Sequence, residues 1–179
     1  MTRATGFFAL LMGALIFGCA TVSSVEPVGE RPKEISPNEW DGTWISKSHS
    51  ITIKVLDEQK GLLQVAWVEE KEGGLKIESY QVAVRESGEW LFGNVKETQD
   101  SASYYWALVK TDAGQIIVWT PDPLKFQKLV LAGDLRGKVE RDNTILERLT
   151  PSDLRGILPG DKGVCFEWRN PVVFFSLGK

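Results

Sequence analysis

Ile51-Thr52-Ile53-Lys54-Val55, then Glu58-Gln59-Lys60-Gly61, then Leu63-Gln64-Val65-Ala66-Trp67: two stretches that alternate large apolar residues with polar or small ones, parted by a short polar break ending in glycine. A period of two sends successive side chains to opposite faces of an extended chain, so each stretch predicts a strand with one buried face. The same texture continues outward. Runs rich in β-branched and aromatic residues cover roughly 62–69, 75–85, 89–96, 103–110 and 115–119. The breaks between them are Lys71-Glu72-Gly73-Gly74, Glu86-Ser87-Gly88, Thr98-Gln99-Asp100 and Asp112-Ala113-Gly114. Breaks this short join antiparallel neighbours, whereas a parallel crossover needs about a dozen residues. Consecutive strands are therefore expected to pair as a meander, and a long meander curls and closes because closure removes its exposed edges.

After Trp119 the pattern changes. Asp122 is placed to cap a helix that has Pro123 at its first position, Leu124, Val130 and Leu131 on an apolar side, and Gly133 at its end. Strand texture returns at Leu135–Arg141 and Thr144–Leu149, with Asp142-Asn143 as a two-residue turn. Ser152 opens a second short helix carrying Leu154, Ile157 and Leu158, stopped by Pro159 and Gly160. Val164–Trp168 and Val172–Leu177 read as one closing strand bent at Pro171. The expected fold is mainly β: an antiparallel up-and-down barrel, or a rolled sheet, of about 8–10 strands with two short helices.

The N-terminal end has another character. Arg3, an apolar run from Phe7 to Phe17, Gly18 and Cys19 follow in the order of a secretory signal peptide. The run is about half of the roughly 20 residues that spanning a bilayer requires, so it predicts a leader. Ile16-Phe17-Gly18-Cys19 resembles the lipobox of bacterial lipoproteins, with Ile where Leu is commonest and Phe where a smaller residue is usual. That resemblance implies cleavage before Cys19 and a diacylglyceryl group on its sulfur. Ala20, and not Asp, follows the cysteine, which in Gram-negative lipoproteins implies sorting to the outer membrane, here facing the periplasm. Two or three acyl chains anchor a protein stably, since each buried methylene contributes about 0.8 kcal/mol. Residues 20–38 carry Pro27, Pro32 and Pro37 among Ser, Glu and Gly and show no sustained apolar period. They read as a flexible tether with a reach of roughly 25 Å. The expected organisation is a signal peptide over 1–18, a lipidated Cys19 and tether over 19–38, and a single β-rich domain over 39–179.

The chain of 179 residues has a net charge of −3 and no basic stripe, which excludes the usual surface for nucleic acid. It has two cysteines. With Cys19 acylated, Cys165 has no partner within the chain, and its apolar setting in Val164-Cys165-Phe166 reads as that of a small buried hydrophobe.

The domain opens with Trp40-Asp41-Gly42-Thr43-Trp44. Gly42-Thr43-Trp44 resembles the G-x-W motif that begins the first strand of lipocalins and related single barrels. The resemblance implies that Trp44 plugs the closed end of a barrel and that a basic residue of the last strand, Arg169 or Arg148, packs across it.

Chemistry-bearing residues are few. His49 is the single histidine, set in Ser48-His49-Ser50 at a turn, with no G-x-S-x-G to accompany it. It is expected to be an exposed turn residue. One histidine and one free cysteine cannot make a structural zinc site, no phosphate-binding loop or EF-hand loop is present, and no cofactor is expected. Glu69, Glu70 and Glu72 crowd a hairpin end and read as solvated charge before they read as an acid and base pair.

What stands out is aromatic. Of seven tryptophans, Trp44, Trp67, Trp90, Trp106, Trp119 and Trp168 fall in expected strands. Alternation puts Leu63, Val65 and Trp67, then Trp90 and Phe92, then Tyr104, Trp106 and Leu108 on what is expected to be one shared face. Such side chains either fill a barrel or line a pocket for an apolar ligand such as a lipid. The expected function is that of a non-enzymatic envelope lipoprotein binding a hydrophobic molecule, with Trp44, Trp67, Trp90, Tyr104, Trp106 and Trp119 as candidate lining. A scaffold for another envelope protein and a hydrolase are the alternatives.

Overall fold

A computed structural model describes residues 20–47, 49–71, 74–96, 98, 100–158 and 165–178, and of residues 69–76 it describes no side chains. The stretch expected to be a leader, Cys19, Ser48, Glu72, Pro159, Gly160 and Val164 lie outside the described residues, as do the side chains of Glu69 and Glu70.

The segment expected to be a tether is built into the domain. Thr21–Ser24 forms strand β1, Arg31–Pro32 forms β2, and Pro37–Trp40 forms helix α1. Val22, Val28, Ile35 and Trp40 are all buried. The prolines shape this path without disordering it: Pro32 lies in the short β2, which pairs along β6, and Pro37 starts α1, where its fixed φ suits a first helical position and its missing N–H costs nothing. Gly29 and Gly61 mark how closely the segment lies against the barrel. A side chain on Gly29 would meet Arg85 Cβ at 2.6 Å, and one on Gly61 would meet the carbonyls of Lys33 and Val84 at 2.5 Å; both glycines also have positive φ.

The expected meander is present and it closes. β3 (Gly42–Ile45), β4 (Ser50–Asp57), β5 (Leu62–Lys71), β6 (Gly74–Ser87), β7 (Trp90–Val95), β8 (Tyr104–Asp112) and β9 (Gln115–Trp119) pair in succession as antiparallel neighbours. After helix α2 (Pro123–Leu131), strands β10 (Gly137–Glu140) and β11 (Asn143–Leu146) and helix α3 (Pro151–Ile157), the last strand β12 (Val172–Ser176) enters between β9 and β3. The result is a closed eight-stranded antiparallel barrel. The register keeps Ile51 opposite Trp67, Ile53 opposite Val65 and Val55 opposite Leu63, so the apolar set of the first hairpin shares one face.

Three boundaries differ from expectation for local reasons. Glu140 pairs with Asn143, so the β10–β11 turn is Arg141-Asp142, one residue earlier than expected, with Arg141 in the left-handed region at φ 56°. α3 starts from Thr150 and not Ser152, because Thr150 and Asp153 exchange hydrogen bonds as a capping box with Pro151 first in the helix. The closing strand is Val172–Ser176 alone; Phe166 makes a single bridge to Pro121. α2 forms as expected, its first turn capped by Asp122, whose carboxylate accepts the Lys125 N–H at 3.1 Å. With α1, the described residues form three short helices, one more than expected.

Two cores result. The first fills the barrel and contains Trp44, Ile51, Ile53, Leu63, Trp67, Val84, Ile116 and Phe174, with Ile35 and Trp40 at one end. The second lies outside it, where Phe92, Trp106 and Leu108 on the outward faces of β7 and β8 pack with Val22, Val28, Phe126, Leu129, Leu135, Leu146, Leu154 and Ile157. β1 belongs to this outer layer: it runs parallel to β11 and antiparallel to β8, extending the sheet beyond the barrel.

Candidate functional site: an apolar cavity inside the barrel

Every barrel strand from β4 to β9, together with β12, sends aliphatic or aromatic side chains inward, and they leave a cavity of about 120 Å³. Its wall includes Ile53, Val65, Val82, Val95, Ala107, Val109, Val118 and Phe174. Gly93 contributes to the hollow because a side chain there would touch Val109 and Val82 at 3.4 to 3.5 Å.

One end is closed by α1. Trp40 lines the cavity, and three contacts hold its helix across the opening. The Trp44 indole N–H donates to the Trp40 carbonyl at 3.0 Å, Asp41 accepts the Val55 N–H at 2.5 Å, and the Thr111 hydroxyl donates to the Glu39 carboxylate at 2.7 Å. Trp44 is 2 % exposed and sits in the barrel core at this end. Neither arginine considered beside it occupies that place: Arg148 reaches Glu26 at 3.5 Å, and Arg169 is exposed before β12.

Toward the other end the lining passes to Trp67, Tyr80, Tyr105 and Trp106, and then to Val22, Thr120 and Pro121, where β9 parts from β8. The Tyr80 hydroxyl donates to Glu78, the residue opposite Trp67. His49 is half-buried, a correction to the exposed turn residue expected, because its ring packs on Trp67 with centroids 4.8 Å apart. The buried indole N–H groups of Trp67 and Trp106 find no acceptor among the described residues. An unpaired buried donor costs about 1–3 kcal/mol, a cost that an acceptor oxygen within reach of either indole would offset.

The candidate residues thus separate. Trp67 borders the cavity from inside the barrel, Trp106 faces outward into the outer core and reaches the cavity only at its end beside Val22, Thr120 and Pro121, and Trp44 sits at the closed end. Trp90 and Trp119 pack against the outer core, and Tyr104 faces a groove on the outside with Gln64, Gln81 and Lys96. The shared face expected for Trp67, Trp90, Phe92, Tyr104, Trp106 and Leu108 is divided: Val84 points inward and pairs with Gly93, so Phe92 and Trp90 point outward, and Trp106 and Leu108 follow them. Alternation fixes which residues share a face but not which face is the inside, and here both faces of β7 and β8 are covered. Trp40, Tyr80, Tyr105 and Phe174 are aromatic lining residues that the sequence did not single out; for Trp40 the signal was Pro37 at a helix start.

Glu86 is the carboxylate with the most basic company. Arg31 at 2.7 Å and Lys33 at 3.0 Å hold its pKa below the usual glutamate value, fastening β2 to the outer edge of β6. Among the described residues no three His, Cys, Asp or Glu side chains gather closely enough to hold a metal ion. No protein-family model, curated protein or solved structure matches the chain.

Proposed function

We propose that the protein is a non-enzymatic envelope lipoprotein, anchored through Cys19, whose barrel takes up a small apolar molecule bearing one or two acceptor oxygens. The observation that carries this reading is the cavity: apolar on nearly all of its wall, with Trp67 and Trp106, whose buried indole N–H groups have no acceptor among the described residues, at one end of it. Binding sites of this kind are apolar with a few placed polar groups. Volume sets the ligand class. A cavity of about 150 Å³ admits benzene, so 120 Å³ suits a single ring or a short branched chain. A whole lipid acyl chain does not fit unless the wall moves. The leader and the lipobox-like stretch before Ala20 supply the envelope part of the reading.

A graded series of ring-sized carbonyl compounds and long-chain fatty acids, titrated against tryptophan fluorescence, tests it. Ring-sized compounds are expected to bind and to perturb the emission of Trp67 and Trp106; fatty acids are expected not to. A series in which nothing small binds would overturn the ligand, and an unmodified Cys19 in protein taken from its host would overturn the anchor.

A further inference from the structure

On the side of β4, β5 and β6 the outside of the barrel is mostly polar: Thr52, Lys54, Gln64, Ser79 and Gln81 face outward there, with Leu56 and Ile77 exposed among them. On β12 and its two neighbours apolar residues predominate on the outward face, with Gln115 and Thr43 among them. Phe175 is 50 % exposed, Leu177 62 % and Ile45 40 %. The register joins them into one row: Phe175 lies opposite Ile45, and Val173 opposite Ile117. Along β9 that row runs into Trp119, whose ring lies 5.4 Å from Trp168. Scattered exposed hydrophobes such as Leu56 and Ile77 need no explanation, but neighbouring ones on three adjacent strands do.

The chain enters the described structure beside the Trp119 end of this row. Trp119 is the last residue of β9 on β8, opposite Leu108. β1 takes over the same flank of β8, with Ser23 opposite Tyr105, which brings Thr21 level with Ala107, the neighbour of Leu108. Val22 accordingly meets the residues that follow Trp119, Thr120 and Pro121, at the cavity wall.

We infer that the row Ile45, Ile117, Val173, Phe175 and Leu177, with Trp119 at its end, lies against the surface of the lipid layer that holds the chain's own anchor. This rests on the lipoprotein reading. An extended chain covers at most about 3.6 Å per residue, so an acylated Cys19 holds Thr21 within about 7 Å of the headgroups. Since β1 is part of a rigid sheet, no linker lifts the domain away from the bilayer. Some side of the barrel must face lipid at contact distance, and tryptophans beside an apolar row suit that interface. Of the other exposed apolar residues on this side, Val25 directly follows β1, and Leu124 and Leu131 on α2 stand two turns apart with the exposed Lys128 between them; these form no row.

Acylated full-length protein, reconstituted in phosphatidylcholine vesicles containing a lipid brominated near the headgroup, provides the test through tryptophan quenching, with the mass of the N-terminal peptide read from the same sample. Quenching is expected in the native chain. It is expected to fall by about twofold or more in Phe175→Asp and in Leu177→Asp, both exposed positions, and to stay unchanged in Leu131→Asp. Two exposed positions are used so that a folding failure of one variant leaves the other to decide, unfolding midpoints reporting which has folded. Quenching that survives both β12 variants, or that Leu131→Asp abolishes, overturns the orientation while leaving the anchor in place. A row that photo-crosslinks to a protein instead of lipid does the same. A non-acylated N-terminus overturns the anchor reading itself, and the orientation with it.

Discussion

Inside the barrel, side chains from seven strands converge and still leave about 120 Å³ unfilled. Over its outer wall, Phe92, Trp106, Phe126 and Phe166 meet edge to face with centroids 5.6 to 6.2 Å apart. The two cores share the strands β7 and β8, so composition does not separate them; geometry does. A closed ring of eight strands has a fixed bore, and β-branched residues on its concave wall cannot slide inward to fill it. Helices lying on the outside of a sheet can settle until the rings touch. Rigidity here is built outside the barrel, and the hollow within it is held open by walls supported from behind.

The largest expected effect tests the outer core. Phe126, fully buried between Trp106 and Phe166, is replaced by alanine at an expected cost of about 3–5 kcal/mol in urea unfolding. A loss below about 1 kcal/mol would mean that the outer layer is not close-packed.

Next comes the seam between the layers. Asn94 is 1 % exposed and accepts the Val28 N–H at 2.6 Å while donating toward the carbonyls of Val28, Ala83 and Phe92. Asn94→Ala strands these backbone groups, with an expected loss of about 2–3 kcal/mol and faster hydrogen exchange at Val28. An unchanged exchange rate there would detach Val28 from the seam.

The barrel core is expected to answer differently. Ala107→Leu adds volume toward the cavity, so stability is expected to shift by less than about 1 kcal/mol in either direction while ring-sized ligands are excluded. Overpacking of a filled core costs about 1–3 kcal/mol, and a loss of that size would show that the hollow is already occupied by its own walls.

The smallest effect concerns the strap at Glu86. Arg31 and Lys33 depress its pKa, so its stabilisation is present above the ordinary glutamate pKa and is lost as pH falls through the depressed value. Because Arg31 and Lys33 are well exposed, Glu86→Gln is expected to cost less than about 1 kcal/mol at neutral pH and nothing in strong acid. A difference between native and variant protein that grows on acidification would reverse the sign.

The barrel was legible because its information is local. Ile51 to Trp67 announces a strand, a break and a strand, and the breaks are too short for anything but antiparallel pairing. α2 was legible because Asp122, Pro123 and Gly133 stand at its two ends. The N-terminal segment was not, because what orders it lies far along the chain: Val28 depends on Asn94, and Thr21 on Asn143. Four residues such as Thr21-Val22-Ser23-Ser24 carry no pattern that an isolated chain would obey. The cavity lining was half legible for a related reason: Trp67 and Trp106 could be named, but which face of β7 looks inward is decided by the helices on its other side.

The position of β1 also sets an order of assembly. Its parallel partner, Asn143–Leu146, lies more than a hundred residues further along the chain. Such a pairing closes a long loop and is slow for that reason. In a chain growing from its N-terminus the hairpins of the barrel are available first, and Val22 has its complete surroundings only once the last third of the protein is present.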